Sequence, residues 1–337
     1  MSTERITSLQ VAKTAGVSQS AVSRVFTPGA SVSQTTRDKV LRAANELGYR
    51  PNVLARAMIT GKSRIIGLVV AYLENQFYPE AVERLSVALQ KEGYHVLVFM
   101  AAATVGDVEK VMREILDYQV DGIVLASVSM SSHLAARCDE AGIPVVLFNR
   151  TQEDDRLCSV TTDNYQGGRA VAQYFIEQGH TRIGYIAGFE EASTQIDRER
   201  GFTDRLREAG LELAAREVGG FEYAMARAAA FEMFTDDKYP TAALVANDHM
   251  AFAVMDVLRF KLGLSIPDDV SIAGFDDVPI AAWSAYDLTT YRQPINRMVA
   301  STVQTLMARI NDAEIISDRI EIEGELIVRG STRNLKE

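Results

Sequence analysis

Four polar residues near the start of the chain have the types and the spacing needed to read the edges of base pairs. They lie in the segment SQSAVSRVF, residues 18–26, on one side of a predicted helix whose other side is apolar, and they are Gln19, Ser20, Ser23 and Arg24. Gln can pair with an adenine edge, Arg with N7 and O6 of guanine, and Ser with a base or a phosphate. The alternative interpretation is a solvated polar face on a small helical bundle.

A helix-turn-helix pattern positions this face. Thr7 and Gln10 fit a capping box that begins a first helix, and Gly16 ends that helix. Ser18 can cap the second helix, which carries the polar face, and a third apolar-periodic helix follows from Ser33. The first fifty residues therefore predict a small all-α unit.

The charges are divided unevenly along the chain. Residues 1–64 hold ten Lys or Arg and three Asp or Glu, a net charge of +7. The other residues hold 25 Lys or Arg against 42 Asp or Glu, a net charge of −17. A basic head on an acidic body is typical of a DNA-binding module joined to another domain.

A second set of polar residues follows predicted strands of the acidic body. From Ile65 onward, apolar runs alternate with amphipathic helices in two successive series, which predicts two lobes with parallel sheets. Ligands of such sheets bind beyond the carboxyl ends of the strands, so we expect one binding crevice between the lobes. The strand-end residues are Asn149, Arg150, Asp163, Asn164, Asn247, Asp248, Asp276 and Asp277. The alternative, most evident for the two residues Asp248 and Asp277, is that Asn and Asp only cap the next helix.

Length and composition limit the class of protein. A chain of 337 residues suggests two or three domains, and 47% hydrophobic with 24% charged residues is ordinary for a globular protein. No apolar run is long enough to span a bilayer, and the N-terminus lacks the apolar core of a secretory signal, so we expect no membrane association and a cytoplasmic location. Two cysteines without CxxC spacing and four scattered histidines predict neither a metal site nor a cofactor.

The segments VAKTAGVSQSAVSRVF and VSQTTRDKVLRAANELGYRPNVLARAM resemble the LacI/GalR family of bacterial transcription regulators. The resemblance extends over essentially the whole chain. It implies an N-terminal all-α helix-turn-helix head and an α/β body of two doubly wound parallel-sheet lobes, as in periplasmic binding proteins. The positions matching the DNA-binding residues of the family are Thr7, Ser18, Gln19, Ser20, Ser23, Arg24, Ser33, Asn52, Ala55, Arg56 and Met58.

The resemblance also assigns roles to these positions. Gln19, Ser20 and Arg24 would read bases, while Thr7, Ser18 and Ser23 would hold the DNA backbone. Residues 52–58 would form a hinge helix that enters the minor groove at the operator centre. Met58 stands where the family commonly has a Leu that wedges into a base step, and Met can also serve as an apolar wedge.

In the body, the resemblance points to an effector site. Arg198 matches the effector arginine of the family, and Asp276 matches an acid that binds the effector from the opposite side. Phe77, Tyr78 and Phe221 fall where family members stack aromatic rings on a ligand, and the alternative is that they are surface or core aromatics. With the strand-end residues, the expected effector set is Phe77, Tyr78, Asn149, Arg150, Arg198, Phe221, Asn247 and Asp276. Trp283 is expected to serve packing.

The implied domains are a DNA-binding head at 1–50, a hinge helix and linker at 51–61, and a two-lobed effector-binding and dimerisation domain at 62–337. Three crossovers would divide that domain into a proximal lobe, about 62–162 and 293–321, and a distal lobe, about 163–292 and 322–337.

The predicted function is a homodimeric transcriptional regulator of the repressor type that binds double-stranded operator DNA at the bacterial nucleoid. A small effector, a sugar, sugar acid or related metabolite, would control this binding. A solute receptor without a DNA function is the alternative. An enzyme is disfavoured. Gly61-Lys62-Ser63 resembles the end of a phosphate-binding loop, but Arg56 stands at the position where that loop requires a glycine.

Overall fold

The computed structural model describes residues 6–27, 30–50, 62–101, 105–311 and 319–333, and the chain divides into two compact units, 1–63 and 64–337. The described residues of the first unit form three helices: α1 (Ser8–Ala15), α2 (Gln19–Val25) and α3 (Gln34–Leu47). Val11, Val22 and Val40, one from each helix, are fully buried and form the centre of its small core.

Local capping explains where the three helices begin and end. Thr7 and Gln10 form the predicted capping box on α1, and the Ser18 and Ser33 hydroxyls accept the N–H groups that begin α2 and α3. Gly16 and Gly48 adopt the left-handed conformation at the ends of α1 and α3, where a side chain would be strained.

The second unit contains two six-stranded sheets. The first sheet has the order β11-β5-β4-β3-β1-β2, and all its neighbouring strands are parallel. Its strands are β1 (Ile65–Val70), β2 (His95–Met100), β3 (Gly122–Ala126), β4 (Val145–Phe148), β5 (Cys158–Thr162) and β11 (Arg319–Ile322). The helices beside it are α4 (Phe77–Lys91), α5 (Val105–Asp117), α6 (Ser132–Glu140) and α11 (Ile295–Ile310).

The second sheet has the order β12-β10-β9-β8-β6-β7, and it is parallel except where β12 pairs with β10. Its strands are β6 (Ile183–Ala187), β7 (Leu213–Val218), β8 (Ala242–Val245), β9 (Ser271–Asp276), β10 (Thr289–Arg292) and β12 (Glu325–Ile327). Its helices are α7 (Asn164–Glu177), α8 (Ser193–Glu208), α9 (Tyr223–Phe234) and α10 (Asp248–Val257).

The chain passes from the first sheet to the second after β5, returns after β10, and passes again between β11 and β12. We call the part built on the first sheet the proximal lobe and the part built on the second sheet the distal lobe. The predicted fold class, a helical helix-turn-helix head with two parallel-sheet α/β lobes, is confirmed. Within the described ranges, no helix has the length and apolarity needed to cross a membrane.

Candidate functional site

The polar face of α2 is exposed. The side chains of Gln19, Ser20, Ser23 and Arg24 all lie at the surface of the head. Gln19 donates from Nε2 to the Ser8 hydroxyl at 2.9 Å, which orients the amide. The Arg24 guanidinium forms no hydrogen bond or ion pair within the described part of the chain. These side chains are therefore available to a groove without prior rearrangement.

The three capping hydroxyls have a structural role and also an accessible position. Thr7, Ser18 and Ser33 accept backbone N–H groups at 3.2–3.3 Å and remain exposed. A helix N-terminus favours an anionic group such as a DNA phosphate. The four hinge positions predicted to contact DNA, Asn52, Ala55, Arg56 and Met58, lie outside the described residues.

Arg198 on α8 is the central side chain of the crevice between the lobes. It is 2% exposed, and its Nε donates to Asn164 Oδ1 at 2.8 Å while a terminal nitrogen donates to the Ala246 carbonyl at 2.5 Å. The ring of Phe275 lies 3.6 Å below the guanidinium carbon, close enough for a cation–π contact. All these partners are neutral, so the Arg198 charge is buried without an ion pair to any residue that the structure describes.

Two glycines allow α7 and α8 to approach closely enough to place Arg198. A Cβ added to Gly168 would lie 2.1 Å from the Arg198 carbonyl oxygen, and one added to Gly201 would lie 2.0 Å from the carbonyl oxygen of Tyr165. Real Cβ atoms do not approach a backbone oxygen this closely, so each position requires the absence of a side chain.

Arg150 follows β4 and connects the two lobes. Its guanidinium donates to the Thr194 hydroxyl of the distal lobe at 2.7 Å, to the Ser127 hydroxyl at 3.1 Å and to the Asn149 carbonyl at 3.0 Å. The ring of Phe221 lies 5.9 Å from its central carbon. Arg150 is 7% exposed, and like Arg198 it is buried among neutral hydrogen-bond acceptors.

Asp276 ends β9 on the opposite side of the crevice. Its carboxylate accepts from Asn75 Nδ2 of the proximal lobe at 3.0 Å and from Gln293 Nε2 at 2.6 Å. Burial raises the pKa of Asp276, and the positive charge of Arg198 opposes that rise. Burial also raises the pKa of Asp248, with a further contribution from the negative charge of Asp276.

Asn149 contains an unused acceptor. Its Nδ2 donates to the Tyr78 hydroxyl at 3.1 Å, but its Oδ1 is buried and has no hydrogen-bond partner among the described residues. An orphaned buried acceptor is costly, so the site favours a ligand that brings a hydroxyl or N–H donor. Tyr78 and Phe77 are each 3% exposed, and Phe77 stacks on the core ring of Phe148. In this closed crevice the two aromatics pack as core residues.

Asn247 has a cap role. Its Oδ1 accepts the Met250 N–H at 2.9 Å and begins α10. Asp248 accepts the Thr290 hydroxyl at 2.6 Å and the Val278 N–H at 3.0 Å, so it joins the start of α10 to the end of β9. Asp277 forms ion pairs with two arginines instead of capping a helix.

The backbone of the crevice is strained. Eight non-glycine residues of the described chain have positive φ angles, and five of them border the crevice: Ser127, Asn149, Phe221, Asp276 and Asp277. Such conformations cost free energy and cluster at functional sites. This clustering supports a binding role for the crevice independently of the side-chain types.

Four further residues complete the crevice and were missed by sequence reasoning: Asn75, Ser127, Thr194 and Gln293. Ser127 directly follows β3, so the rule that ligands bind beyond the carboxyl ends of parallel strands, which we call the strand-end rule, could have identified it. Thr194 lies in the first turn of α8, and no local signal distinguishes it. A cavity of about 300 Å³ reaches the same region, and its wall includes Phe77, Asp276 and Gln293.

Comparison with known proteins identifies relatives of both units. Residues 9–52 match the family described as bacterial regulatory proteins, lacI family, and residues 172–332 match the periplasmic binding protein-like domain. The HTH-type transcriptional repressor PurR of Vibrio campbellii is 31% identical over 96% of this chain and 98% of its own length. PurR of Vibrio vulnificus is 30% identical with the same coverage.

Solved structures agree in fold. The lac repressor dimer bound to operator and the anti-inducer ONPF has a TM-score of 0.88 at 24% identity, covering 98% of this chain and all of that chain. The transcriptional regulator CelR in complex with cellobiose is 31% identical, with a TM-score of 0.74 and coverage of 97% of this chain and all of that chain.

Proposed function

The chain belongs to the lacI family of bacterial regulatory proteins and is a DNA-binding transcriptional repressor, and from that premise we propose that a small polar effector, a sugar or a sugar acid, controls its operator affinity from the crevice. Its relatives are transcriptional repressors, regulators rather than enzymes. We place the protein in the bacterial cytoplasm, at the nucleoid, where its operator DNA lies. A solute receptor without a DNA function does not account for the lacI-family match of the head.

The observation that carries the effector proposal is the burial of two guanidinium groups that have no carboxylate partner among the described residues. Arg150 and Arg198 are 7% and 2% exposed, and their hydrogen bonds within the described chain go to neutral groups. Burying an unpaired charge is costly, so a ligand oxygen, and above all a carboxylate, would be stabilised between them. Asp276 on the facing side can accept from ligand hydroxyls, as Asn149 Oδ1 can.

The CelR complex supports a hydroxyl-rich ligand, because this relative at 31% identity is bound to cellobiose. Phe221 lies beside Arg150 at the crevice wall, where a ring face could cover the apolar side of a sugar. We assign effector contacts to Phe77, Tyr78, Asn149, Arg150, Arg198, Phe221 and Asp276, and to Asn247 through the start of α10.

On the DNA side, we assign base reading to Gln19, Ser20 and Arg24 of α2, with Thr7, Ser18, Ser23 and Ser33 at the phosphates. We propose that the chain acts as a homodimer on a two-fold operator, because paired helix-turn-helix heads match two half-sites. Asn52, Ala55, Arg56 and Met58 would meet the central minor groove, with Met58 as the wedge.

In this proposal, the effector acts because it binds one arrangement of the two lobes more tightly than another. Among the described residues, the hydrogen bonds that join the lobes at the crevice include those of Asn75 to Asp276, Arg150 to Thr194 and Thr151 to Ser193. A ligand that inserts among these groups must favour one arrangement of the lobes over another. It can change operator affinity only by that difference in binding free energy.

The test is a thermal-shift panel of glucose, cellobiose, gluconate and glucuronate, with hypoxanthine as a ligand of another class, followed by operator binding with and without each stabilising compound. We expect a sugar or sugar acid to raise the melting temperature by mass action and to change the operator Kd about 5-fold to 150-fold. Stabilisation by hypoxanthine alone would contradict the sugar assignment.

Matched variants on one helix locate the response. Arg198→Ala should abolish the effect of the ligand on operator affinity, whereas Arg200→Ala should retain it, because Arg200 is exposed and its side chain contacts Asp197 and the Tyr165 ring. Arg150→Gln provides a second variant that keeps hydrogen-bonding capacity but removes the charge. A full response in both Arg198→Ala and Arg150→Gln would exclude the crevice as the effector site.

A further inference from the structure

The two buried arginines of the crevice differ in how strongly a negative charge compensates them. Burial lowers the pKa of Arg198, and the carboxylate of Asp276 makes the largest contribution that opposes this fall. Burial raises the pKa of Asp276, and the positive charge of Arg150 opposes that rise less than the charge of Arg198 does. Asp276 therefore compensates Arg198 more strongly than it compensates Arg150.

Arg150 and its neighbours have donors available for an anion. Of the five N–H groups of the guanidinium, three donate within the described chain, to the Asn149 carbonyl and to the hydroxyls of Ser127 and Thr194. Both hydroxyls accept from Arg150, and neither donates its own proton to another described residue. Two N–H groups and two hydroxyl protons are therefore available to a ligand.

The start of α8 adds positive potential at the same place. Thr194 lies in the first turn of this 16-residue helix, and Ala192, which precedes the helix, provides no side-chain cap. The first N–H groups of an uncapped helix carry partial positive charge and favour an anion. The Thr194 hydroxyl lies 2.7 Å from Arg150 Nη1, so two elements from different lobes place positive potential at one point of the crevice.

An aromatic ring covers this region. Phe221 is 9% exposed, and its ring lies 5.9 Å from the central carbon of Arg150. A Cβ added to Gly188 would lie 2.2 Å from this ring, so the glycine leaves the space that the ring occupies. Trp283, by contrast, is 59% exposed, so the expectation that it packs within the chain is wrong for the single chain. Phe221 helps to keep water from Arg150, and a charge contact is stronger where water is excluded.

The charges of the crevice sum to one positive unit near neutral pH. Arg150 and Arg198 each carry one positive charge, and Asp276, which accepts from two amide groups, carries one negative charge. Burial raises the pKa of Asp248 to about 8, so this carboxyl keeps its proton. One negative charge on a ligand would balance the crevice. A neutral ligand would leave a buried positive charge, and a dianion would leave a buried negative charge.

The other oxygens of the crevice require donors and so set the orientation of a ligand. Asn149 Oδ1 is buried and has no partner among the described residues, and the Asp276 carboxylate is negative. A ligand hydroxyl can donate to either oxygen, whereas a ligand carboxylate cannot donate and is repelled by Asp276. We propose that the effector is a monoanionic sugar acid whose carboxylate binds Arg150 and the start of α8, with its hydroxyl groups at Arg198 and Asp276.

This inference rests on the proposed effector function and adds the charge and the orientation of the ligand. Calorimetric titration of the full-length chain at fixed ionic strength compares each acid with its own neutral amide: glucuronate with glucuronamide, and gluconate with gluconamide. We expect the acid that binds most tightly to bind at least about tenfold more tightly than its amide, because charge-assisted hydrogen bonds are stronger than neutral ones. Glucose 6-phosphate, a dianion, should bind more weakly than that acid.

Three results would overturn the inference while leaving a sugar effector in place. The acid and its amide bind equally, glucose 6-phosphate binds more tightly than every acid, or glucose or cellobiose binds and no acid does. Binding of hypoxanthine alone, or of no compound in the panel, overturns the sugar acid together with the proposed sugar effector. The charge of the ligand and its sugar class are thus tested separately.

Substitutions at Arg150 test where the acid group lies. Arg150→Gln keeps hydrogen-bond donors and removes the charge, so the ratio of the amide Kd to the acid Kd should fall to about one. Arg150→Lys keeps the charge and should keep a preference for the acid. The matched control is Arg200→Gln, the same change at an exposed arginine of α8, which should leave the ratio unchanged.

The ratio separates a binding role from a structural one, because a variant that only loosens the fold weakens the acid and the amide alike. A wild-type ratio in Arg150→Gln, or an equal fall in Arg200→Gln, overturns the placement of the acid group at Arg150. If Arg150→Gln does not fold, Thr194→Val takes its place. It removes one hydroxyl donor of the same subsite and should lower the ratio about threefold, and an unchanged ratio overturns the placement.

Discussion

The polar face of α2 and the polar crevice of the body contain similar side chains that differ in exposure and in hydrogen bonding. Arg24 is exposed and has no partner in the described chain, whereas Arg198 is 2% exposed and donates to Asn164 and Ala246. Gln19 makes one surface hydrogen bond, whereas Gln293 is buried between Thr162 and Asp276. The polar side chains of α2 are accessible, whereas those of the crevice are bound to one another.

This difference separates two kinds of recognition. The face of α2 can meet DNA as a rigid surface, so its contribution is set by contacts alone. A ligand of the crevice must replace existing hydrogen bonds, such as Arg150 to Thr194 and Asn75 to Asp276, so its binding is coupled to the arrangement of the lobes. Such coupling suits a regulatory site, while the exposed face suits sequence reading.

The largest expected effect tests how strongly the crevice depends on packing. Gly168→Ala places a Cβ 2.1 Å from the Arg198 carbonyl oxygen, so α7 and α8 must separate. We expect a loss of about 3 kcal/mol in the free energy of unfolding, together with loss of the effector response. Urea denaturation of the full chain measures the first effect, and operator binding with ligand measures the second.

The matched control is Gly142→Ala. Gly142 has a φ of 65° but no atom within 4 Å of an added Cβ, so its cost is only backbone strain, about 1 kcal/mol. If the two substitutions cost the same, close helix packing does not position Arg198.

A smaller effect is expected on the DNA side. Arg24→Ala should lower the preference for operator over unrelated DNA by roughly 1 to 3 kcal/mol, as for the loss of a bidentate contact to guanine. Because Arg24 has no partner in the described chain, protein stability should not change. Competition binding with operator and scrambled duplexes at fixed salt measures the preference.

Arg42→Ala is the control for charge alone. Arg42 is exposed on α3 and is not one of the polar residues of α2, so its loss should affect operator and scrambled DNA equally. An identical reduction for both duplexes in Arg24→Ala would instead make Arg24 a phosphate contact and would weaken the contrast between the two sites.

The two sites also differ in how far sequence alone predicts them. The three helices of the head follow from local signals, since Thr7, Ser18 and Ser33 cap the helices that follow them and Gly16 ends the first. Such signals involve neighbours in sequence, so no tertiary information is needed. The same holds for the strand–helix alternation of the body, whose fold class is confirmed.

The crevice required more than local pattern. The strand-end rule led to Arg150 and Asp276, which the structure places at the crevice, but it could not identify Thr194, because the partner of Arg150 comes from the other lobe. The burial of individual side chains could not be predicted from the sequence either. The residues next to Phe77 in the sequence do not show whether its ring contacts a ligand or packs in the core, where the structure places it. Pairing across a domain is decided by tertiary contacts that one sequence does not show.

The last expected effect concerns the pH dependence of stability, and it arises at Asp248. Asp248 is fully buried, and burial raises its pKa above the ordinary value of 3.8. The folded state therefore holds a proton that the unfolded state releases, so the free energy of unfolding falls as pH rises from about 4 towards the folded-state pKa. Asp248→Asn removes this titration, and its amide can still accept the Val278 N–H and donate to Thr290.

We expect the free energy of unfolding of the wild type, relative to that of Asp248→Asn, to fall by up to about 1.4 kcal/mol per pH unit between pH 5 and pH 7, because unfolding releases the proton that buried Asp248 retains. Urea denaturation at the two pH values measures this difference. Asp268→Asn, at a carboxylate whose side chain is 79% exposed, is the matched control for the removal of one negative charge. A difference between wild type and Asp248→Asn that is independent of pH would mean that the buried acid is already ionised at pH 5. Asp248 would then be charged in the folded state, as exposed Arg24 is. The two sites would differ in the hydrogen bonds of their side chains and not in whether buried groups are charged.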